Sequence, residues 1–215
     1  HHVFAPMLQS WNLLVSIVLV ASITVANPFA ILQHDLKRFM AYSSISQAGY
    51  IMLAVLGETG QGTTSLVYYI AVYLMANLAV FGVIGLLEQQ TDAAVDRSTC
   101  NALYTTNPRL AFVMTIALFS LAGIPPFAGF FSKFFVFAAA FHTGHWAVVF
   151  LALVNTIISL YYYLLVVKAM YIMPSDAPVA AFRSPLPARV CLLVCLLSIM
   201  LMGVCSSVYQ YIAAV

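Results

Sequence analysis

Charge is what this sequence has least of. Its 215 residues carry 8 Lys and Arg against 6 Asp and Glu, 7% in all, where soluble domains carry about 25%. A soluble domain with a membrane anchor is thereby excluded. The net charge of +2 is too small and too scattered for a nucleic-acid partner. Four cysteines, Cys100, Cys191, Cys195 and Cys205, form no CxxC pair. Cys191 and Cys195 stand one helical turn apart on an apolar stretch, where small buried hydrophobes are expected rather than a metal pair. A haem-ligand pair, a Gly-rich dinucleotide loop and a Ser-His-Asp arrangement are all lacking as well. No redox centre, metal, cofactor or nucleotide site is therefore expected in this chain.

What is present is apolar: 64% of residues are hydrophobic and the mean hydropathy is +1.02. A helix needs about 20 apolar residues to cross a hydrocarbon core. That rule predicts an all-α polytopic membrane protein with six transmembrane segments, at about 11–32, 39–57, 64–87, 108–141, 146–172 and 188–213. The chain opens on His1, and residues 1–10 read as the external end of a preceding loop, so a fragment or one half of a split protein is expected. Residues 11–172 read as one bundle, and 173–215 as a loop and a final span.

Basic residues set the orientation. Lys37, Arg38, Arg97, Arg109, Lys168, Arg183 and Arg189 fall at alternate loops and helix ends, all on one face. The opposite loops hold Glu58, His142 and His145 but no Lys or Arg. The basic face is expected to be cytoplasmic, or to face the matrix.

Lys133 alone does not fit that pattern. It sits in GIPPFAGFFSKFF (123–135), inside a segment of 34 residues. A straight helix of that length would run about 50 Å at ~1.5 Å per residue, against about 30 Å of hydrocarbon. Gly123, Pro125 and Pro126 break it near the middle, because proline removes a backbone donor and clashes with the carbonyl one turn back. Backbone left unpaired at membrane depth is tolerated only where protein or a wet cavity covers it. The fourth segment is therefore expected to be discontinuous at Gly123–Pro126. An ammonium in the bilayer costs about 2.5–3.5 kcal/mol on insertion scales, and low dielectric favours the neutral amine. A lysine so placed can take and release protons. Snorkelling is disfavoured by its distance from the segment's end, so proton relay is preferred over a structural lysine.

Three helices carry polar stripes at helical spacing: Ser43, Gln47 and Tyr50, with Ser46 beside them; Tyr69, Tyr73 and Asn77; and Asn155, Ser159 and Tyr162/Tyr163. Any one stripe is explained by hydrogen bonding between membrane helices. Three stripes and a central lysine together suggest a hydrated path from each face to Lys133. Lys37 reads first as a positive anchor at a helix start, with Asp35 compensating the helix dipole. His34 and Lys37 are also candidates for proton uptake.

Three stretches carry a family resemblance. HDLKRFMAYSSISQAGY (34–50) and SLAGIPPFAGFFSKFFVF (120–137) resemble two motifs of the antiporter-like membrane subunits of respiratory complex I. NTIISLYYYLLVVKAMY (155–171) and LYTTNP (103–108) resemble the subunit N branch, called subunit 2 in mitochondria. The resemblance implies a 14-helix fold with two inverted repeats, of which this chain matches the second repeat and the last helix. It also implies that Lys133 is the family's protonatable lysine on a broken helix. Gln47 stands where many relatives have histidine; a glutamine can hold water but does not titrate. The partners implied are an amino-terminal half, in the same protein or a separate chain, and the other membrane-arm subunits. Flavin, iron–sulfur clusters and quinone are implied in those partners. A subunit of a multi-subunit cation/proton antiporter or membrane-bound hydrogenase, and a purely structural membrane subunit, are the competing expectations.

Overall fold

The computed structural model describes residues 8–57 and 60–204. Its helices are α1 (Leu8–Leu32), α2 (Leu36–Val55), α3 (Gly60–Thr91), the single-turn α4 (Leu103–Thr106), α5 (Pro108–Ala122), α6 (Ala128–His142), α7 (Trp146–Tyr171) and α8 (Leu186–Val204). The expected residues 205–213 of the last span, the opening loop through residue 7, Glu58 and Cys205 lie outside the described residues.

Four of these helices are long and apolar enough to cross a membrane: Ser10–Leu32, Gly62–Thr91, Trp146–Tyr171 and Leu186–Val204. Helix α2 has 20 residues but is diluted by Lys37, Arg38 and a run of serines. Helices α5 and α6 have 15 residues each, about 22 Å at ~1.5 Å per residue, so neither spans alone. The connection before α5 holds more structure than its turn-forming composition suggests, a 3-10 turn at Ser98–Cys100 followed by α4.

Local chemistry explains the ends. Asp35, in extended backbone, caps α2 by accepting from the Arg38 N–H at 2.9 Å. Pro108 occupies the first turn of α5, where its missing N–H has no helical partner to lose. Gly123 ends α5 in the left-handed conformation, φ 84°. The Ile124 N–H reaches back to the Phe119 carbonyl and the Gly123 N–H to the Ser120 carbonyl, both at 3.0 Å, a Schellman turn.

Helix α3 lies at the centre, packed against α2, α5, α6 and α8, while α1 lies along α2 and also meets α7. Close approach is bought by small residues at crossing points: a Cβ on Gly49 would sit 2.5 Å from Ile23 Cγ2. The outward faces remain apolar, with Leu14, Ile17, Phe112, Ile157 and Leu193 all more than half exposed, as expected of surface solvated by lipid.

Candidate functional site

The last four carbonyls of any α-helix have no partner within the helix. For α5 these belong to Phe119, Ser120, Leu121 and Ala122. The Schellman turn takes the first two. Lys133 takes the others: its Nζ donates to the Leu121 carbonyl at 2.9 Å and the Ala122 carbonyl at 3.2 Å. Lys133 lies in the second turn of α6 and is 4% exposed. Helical side chains lean toward the N-terminus, which carries this one back across the break. A helix C-terminus bears partial negative charge and favours a cation. The Tyr50 ring adds a π-face 4.9 Å from Nζ.

Two glycines make this geometry possible. A Cβ on Gly123 would meet Lys133 Cδ at 3.1 Å, and one on Gly129 would fall 1.6 Å from the Ser120 carbonyl oxygen. Ser120 also accepts, through Oγ, from the Gly129 N–H at 3.2 Å. The half-helices are thus sewn together at the break, where Pro125–Pro126 is a cis peptide.

Around the lysine the predicted residues separate into groups. Gln47 donates from Nε2 to the Leu121 carbonyl and to the Tyr163 hydroxyl, both at 3.1 Å, and accepts from the Tyr69 hydroxyl at 2.6 Å. Ser43 hydrogen-bonds the Tyr163 hydroxyl. Lys133, Gln47, Tyr69, Tyr163 and Ser43 therefore form one buried network joined through a backbone oxygen. Tyr50 joins by its ring and accepts from Thr156 Oγ1 at 3.3 Å. Tyr73 lines a cavity of about 10 Å³ together with Lys133, Gln47, Tyr69, Ser120 and Ser132, room for about one water. Asn77 donates to the Tyr73 hydroxyl at 3.1 Å, and its Oδ1 is buried without a partner.

Asn155 and Ser159 belong to the layer behind Tyr50, which interacts with Ser159 and with Asn27, the Asn155 partner. Asn27 Nδ2 donates to Asn155 Oδ1 at 2.9 Å, and the Tyr162 hydroxyl donates to Asn27 Oδ1 at 3.1 Å. Ser159 turns to its own helix, donating to the Thr156 carbonyl at 2.8 Å. His34 and Lys37 are exposed at the basic face, with Leu36, Phe39 and Met40 buried between them and Ser43. Lys37 pairs with Glu88 at 2.6 Å, at the far end of α3. Cys195 is buried, whereas Cys191 is exposed.

Two contributors escaped the sequence reading. Asn27, fully buried in α1 beside Pro28, carried a signal as an amide deep inside an apolar run. The Leu121 carbonyl carried none, since a backbone oxygen is freed only by where the helix ends.

Comparison with known proteins fixes the family. The family described as NADH:quinone oxidoreductase/Mrp antiporter, TM, matches residues 1–159. The NADH-quinone oxidoreductase subunit N of Phocaeicola vulgatus is 63% identical over 211 residues, covering 98% of this chain. This chain spans 45% of that relative's length. Among solved structures, a chain of respiratory complex I from Thermus thermophilus with bound aureothin is 31% identical, with a TM-score of 0.77 over 93% of this chain and 45% of that one. A chain of the Mrp complex from Dietzia shares the fold, with a TM-score of 0.84 at 20% identity, covering 94% of this chain and 46% of that one. A buried lysine closing a broken helix thus sits in an all-helical integral membrane protein, and the chain belongs to the NADH:quinone oxidoreductase/Mrp antiporter transmembrane family, with strong similarity to subunit N.

Proposed function

We propose that this chain is a proton-translocating membrane-arm subunit of a NADH:quinone oxidoreductase, and that Lys133 is the group that takes and releases the proton. The observation that carries this is Lys133 itself: buried, without an acidic partner among the described residues, and held only by two helix-end carbonyls and an aromatic face. Such a site tolerates both the ammonium and the amine, since neither loses an ion pair when the proton leaves. Gln47, Tyr163 and Ser43 extend from it toward the basic face as a chain of hydrogen-bonding side chains. Tyr73 lines the small cavity beside Lys133, and Asn77 borders it through the Tyr73 hydroxyl. His34 and Lys37 stand at the surface, outside the buried relay; proton entry there falls to His34, while Lys37, paired with Glu88, serves as the positive anchor of α2.

In this reading α2 is a fifth span and α5 with α6 a sixth, interrupted at Gly123–Pro126. Residues 11–172 form the second inverted repeat of a 14-helix antiporter-like fold, and 173–215 the loop and last helix. An amino-terminal half and the other membrane-arm subunits complete the pathway in the bacterial plasma membrane, with flavin, iron–sulfur clusters and quinone in those partners. Redox energy released there alters the electrostatics around Lys133 and drives its proton exchange. The high identity to subunit N favours this assembly over a cation/proton antiporter, whose likeness is one of fold.

The test is NADH-driven acidification of inverted membrane vesicles, wild type against Lys133→Met, with NADH oxidation recorded in parallel and assembly checked on native gels. Loss of acidification in an intact complex is the expected result. Unchanged acidification would leave Lys133 a structural residue. Copurification with small antiporter subunits, in place of flavin and iron–sulfur subunits, would assign the chain to the other machine.

A further inference from the structure

On the basic face, away from Lys133, a cavity of about 760 Å³ opens between the start of α5, the segment Phe182–Ser184 and the start of α8. Arg109, Arg183 and Arg189 line it, together with Phe112, Leu193 and Leu196. The arrangement is layered. Both helices begin at the rim, and the three guanidiniums stand there. Phe112 lies three residues below Arg109, and Leu193 and Leu196 lie four and seven below Arg189, which places the apolar wall about 5–10 Å deeper at ~1.5 Å per residue.

None of the three arginines forms an ion pair among the described residues, where Lys37–Glu88 is the pair found. Arg109 and Arg183 are exposed and Arg189 is half-buried. Phe112 is 54% and Leu193 58% exposed. A free inorganic anion would use the guanidiniums and leave the wall bare. A hydrophobic protein helix would use the wall but bring no counter-charge to the three guanidiniums at the rim. An anionic phospholipid satisfies both layers, because Arg matches phosphate in a fork and the acyl chains continue along Phe112, Leu193 and Leu196.

We infer that this cavity is a binding site for one anionic phospholipid of the basic-face leaflet, with its phosphate among Arg109, Arg183 and Arg189 and its acyl chains on α5 and α8. The inference depends on the chain lying in a bilayer and not on any role of Lys133.

The test uses the intact assembled complex, delipidated in detergent and titrated with dioleoylphosphatidylglycerol or dioleoylphosphatidylcholine, with binding read by native mass spectrometry. Wild type is expected to hold phosphatidylglycerol about tenfold more tightly than the R109Q/R183Q/R189Q variant, since each basic residue near an anionic lipid contributes appreciably. Arg183→Gln alone, in an exposed loop, should show a smaller loss and guards against a misfolded triple variant. Leu193→Trp should weaken lipid binding while leaving the guanidiniums in place. Equal retention by wild type and variants, or equal binding of phosphatidylcholine, would overturn the proposal. So would displacement of phosphatidylglycerol by millimolar inorganic phosphate, which would mark a free-anion site. A photo-crosslinker in place of Leu193 that captured a neighbouring polypeptide rather than lipid would assign the cavity to a protein partner instead.

Discussion

Lys133 and Gln47 donate to the same acceptor, the carbonyl oxygen of Leu121, at 2.9 and 3.1 Å. One residue comes from α6 and the other from α2, and the acceptor lies in the last turn of α5. The relation makes the break in the fourth segment more than an accommodation of length. It supplies the oxygen through which a non-titrating amide and a protonatable amine are coupled. Any change in the charge of Lys133 alters how strongly that carbonyl is held, and so is felt by Gln47 and by the two tyrosines bonded to it.

Replacing Gln47 by Leu tests this coupling. The change removes bonds to Tyr69, Tyr163 and Leu121 at once, and interhelical hydrogen bonds in membranes contribute about 0.6–2 kcal/mol each. A loss of about 2 kcal/mol or more in unfolding from mixed micelles is expected, with proton flux slowed several-fold. Stability and flux both at wild-type level would show that the shared carbonyl is incidental.

Asn27 and Asn155 tie α1 to α7 through a buried amide pair, and the Tyr162 hydroxyl completes it. A double-mutant cycle with Asn27→Ala and Asn155→Ala should return a coupling of about 0.6–2 kcal/mol. Additive losses would mean the two amides are satisfied independently. Because the Tyr162 ring packs on Tyr163 with centroids 4.6 Å apart, this cluster borders the Lys133 network, and Asn27→Ala should lower per-complex proton flux, but by less than Gln47→Leu does.

The Lys37–Glu88 pair is short, but the Lys37 side chain is 54% exposed. Exposed pairs are worth about 0–1 kcal/mol. Lys37→Gln should therefore shift thermal unfolding only slightly and leave NADH-driven acidification within about twofold. A tenfold loss of acidification would instead place Lys37 inside the relay, despite the apolar residues that separate it from Ser43.

Membrane character, the break at Gly123–Pro126 and the polar stripes were legible because each is written in composition or in period. Spans near 11–32 and 146–172 match α1 and α7 closely, since uninterrupted apolar runs leave a helix few places to stop. Helix α3 runs four residues further at each end than its apolar stretch, because Gly60, Gln61 and Glu88–Thr91 continue the helix beyond the hydrophobic signal. The stripes named side chains that take part in hydrogen bonds, but not their partners. Helical spacing shows that Ser159 shares a face with Asn155. It does not show that Ser159 bonds its own backbone while Asn155 reaches Asn27. That distinction depends on how α1 and α7 cross, which one helix's sequence does not contain.

The crossing of α5 and α6 gives the sharpest prediction. Gly129 has no room for a side chain, since a Cβ there would lie 1.6 Å from the Ser120 carbonyl oxygen and 2.5 Å from its carbon. These are backbone atoms, which cannot swing aside as a flexible side chain would. Gly129→Ala should therefore separate the half-helices, lift Lys133 from the Leu121 and Ala122 carbonyls, and leave little assembled protein. Gly123→Ala should be milder: its φ of 84° costs an L-residue about 1–2 kcal/mol, and the contact at 3.1 Å is with the movable Lys133 Cδ. Gly85, in the last third of α3 with nothing within 4 Å of an added Cβ, is the control, where alanine should stabilise the helix by about 0.5–1 kcal/mol. Expression level and unfolding in mixed micelles would rank the three variants. An order other than Gly85→Ala above Gly123→Ala above Gly129→Ala would mean that the break does not hold Lys133 by close backbone contact, and that the lysine finds its carbonyls by side-chain flexibility alone.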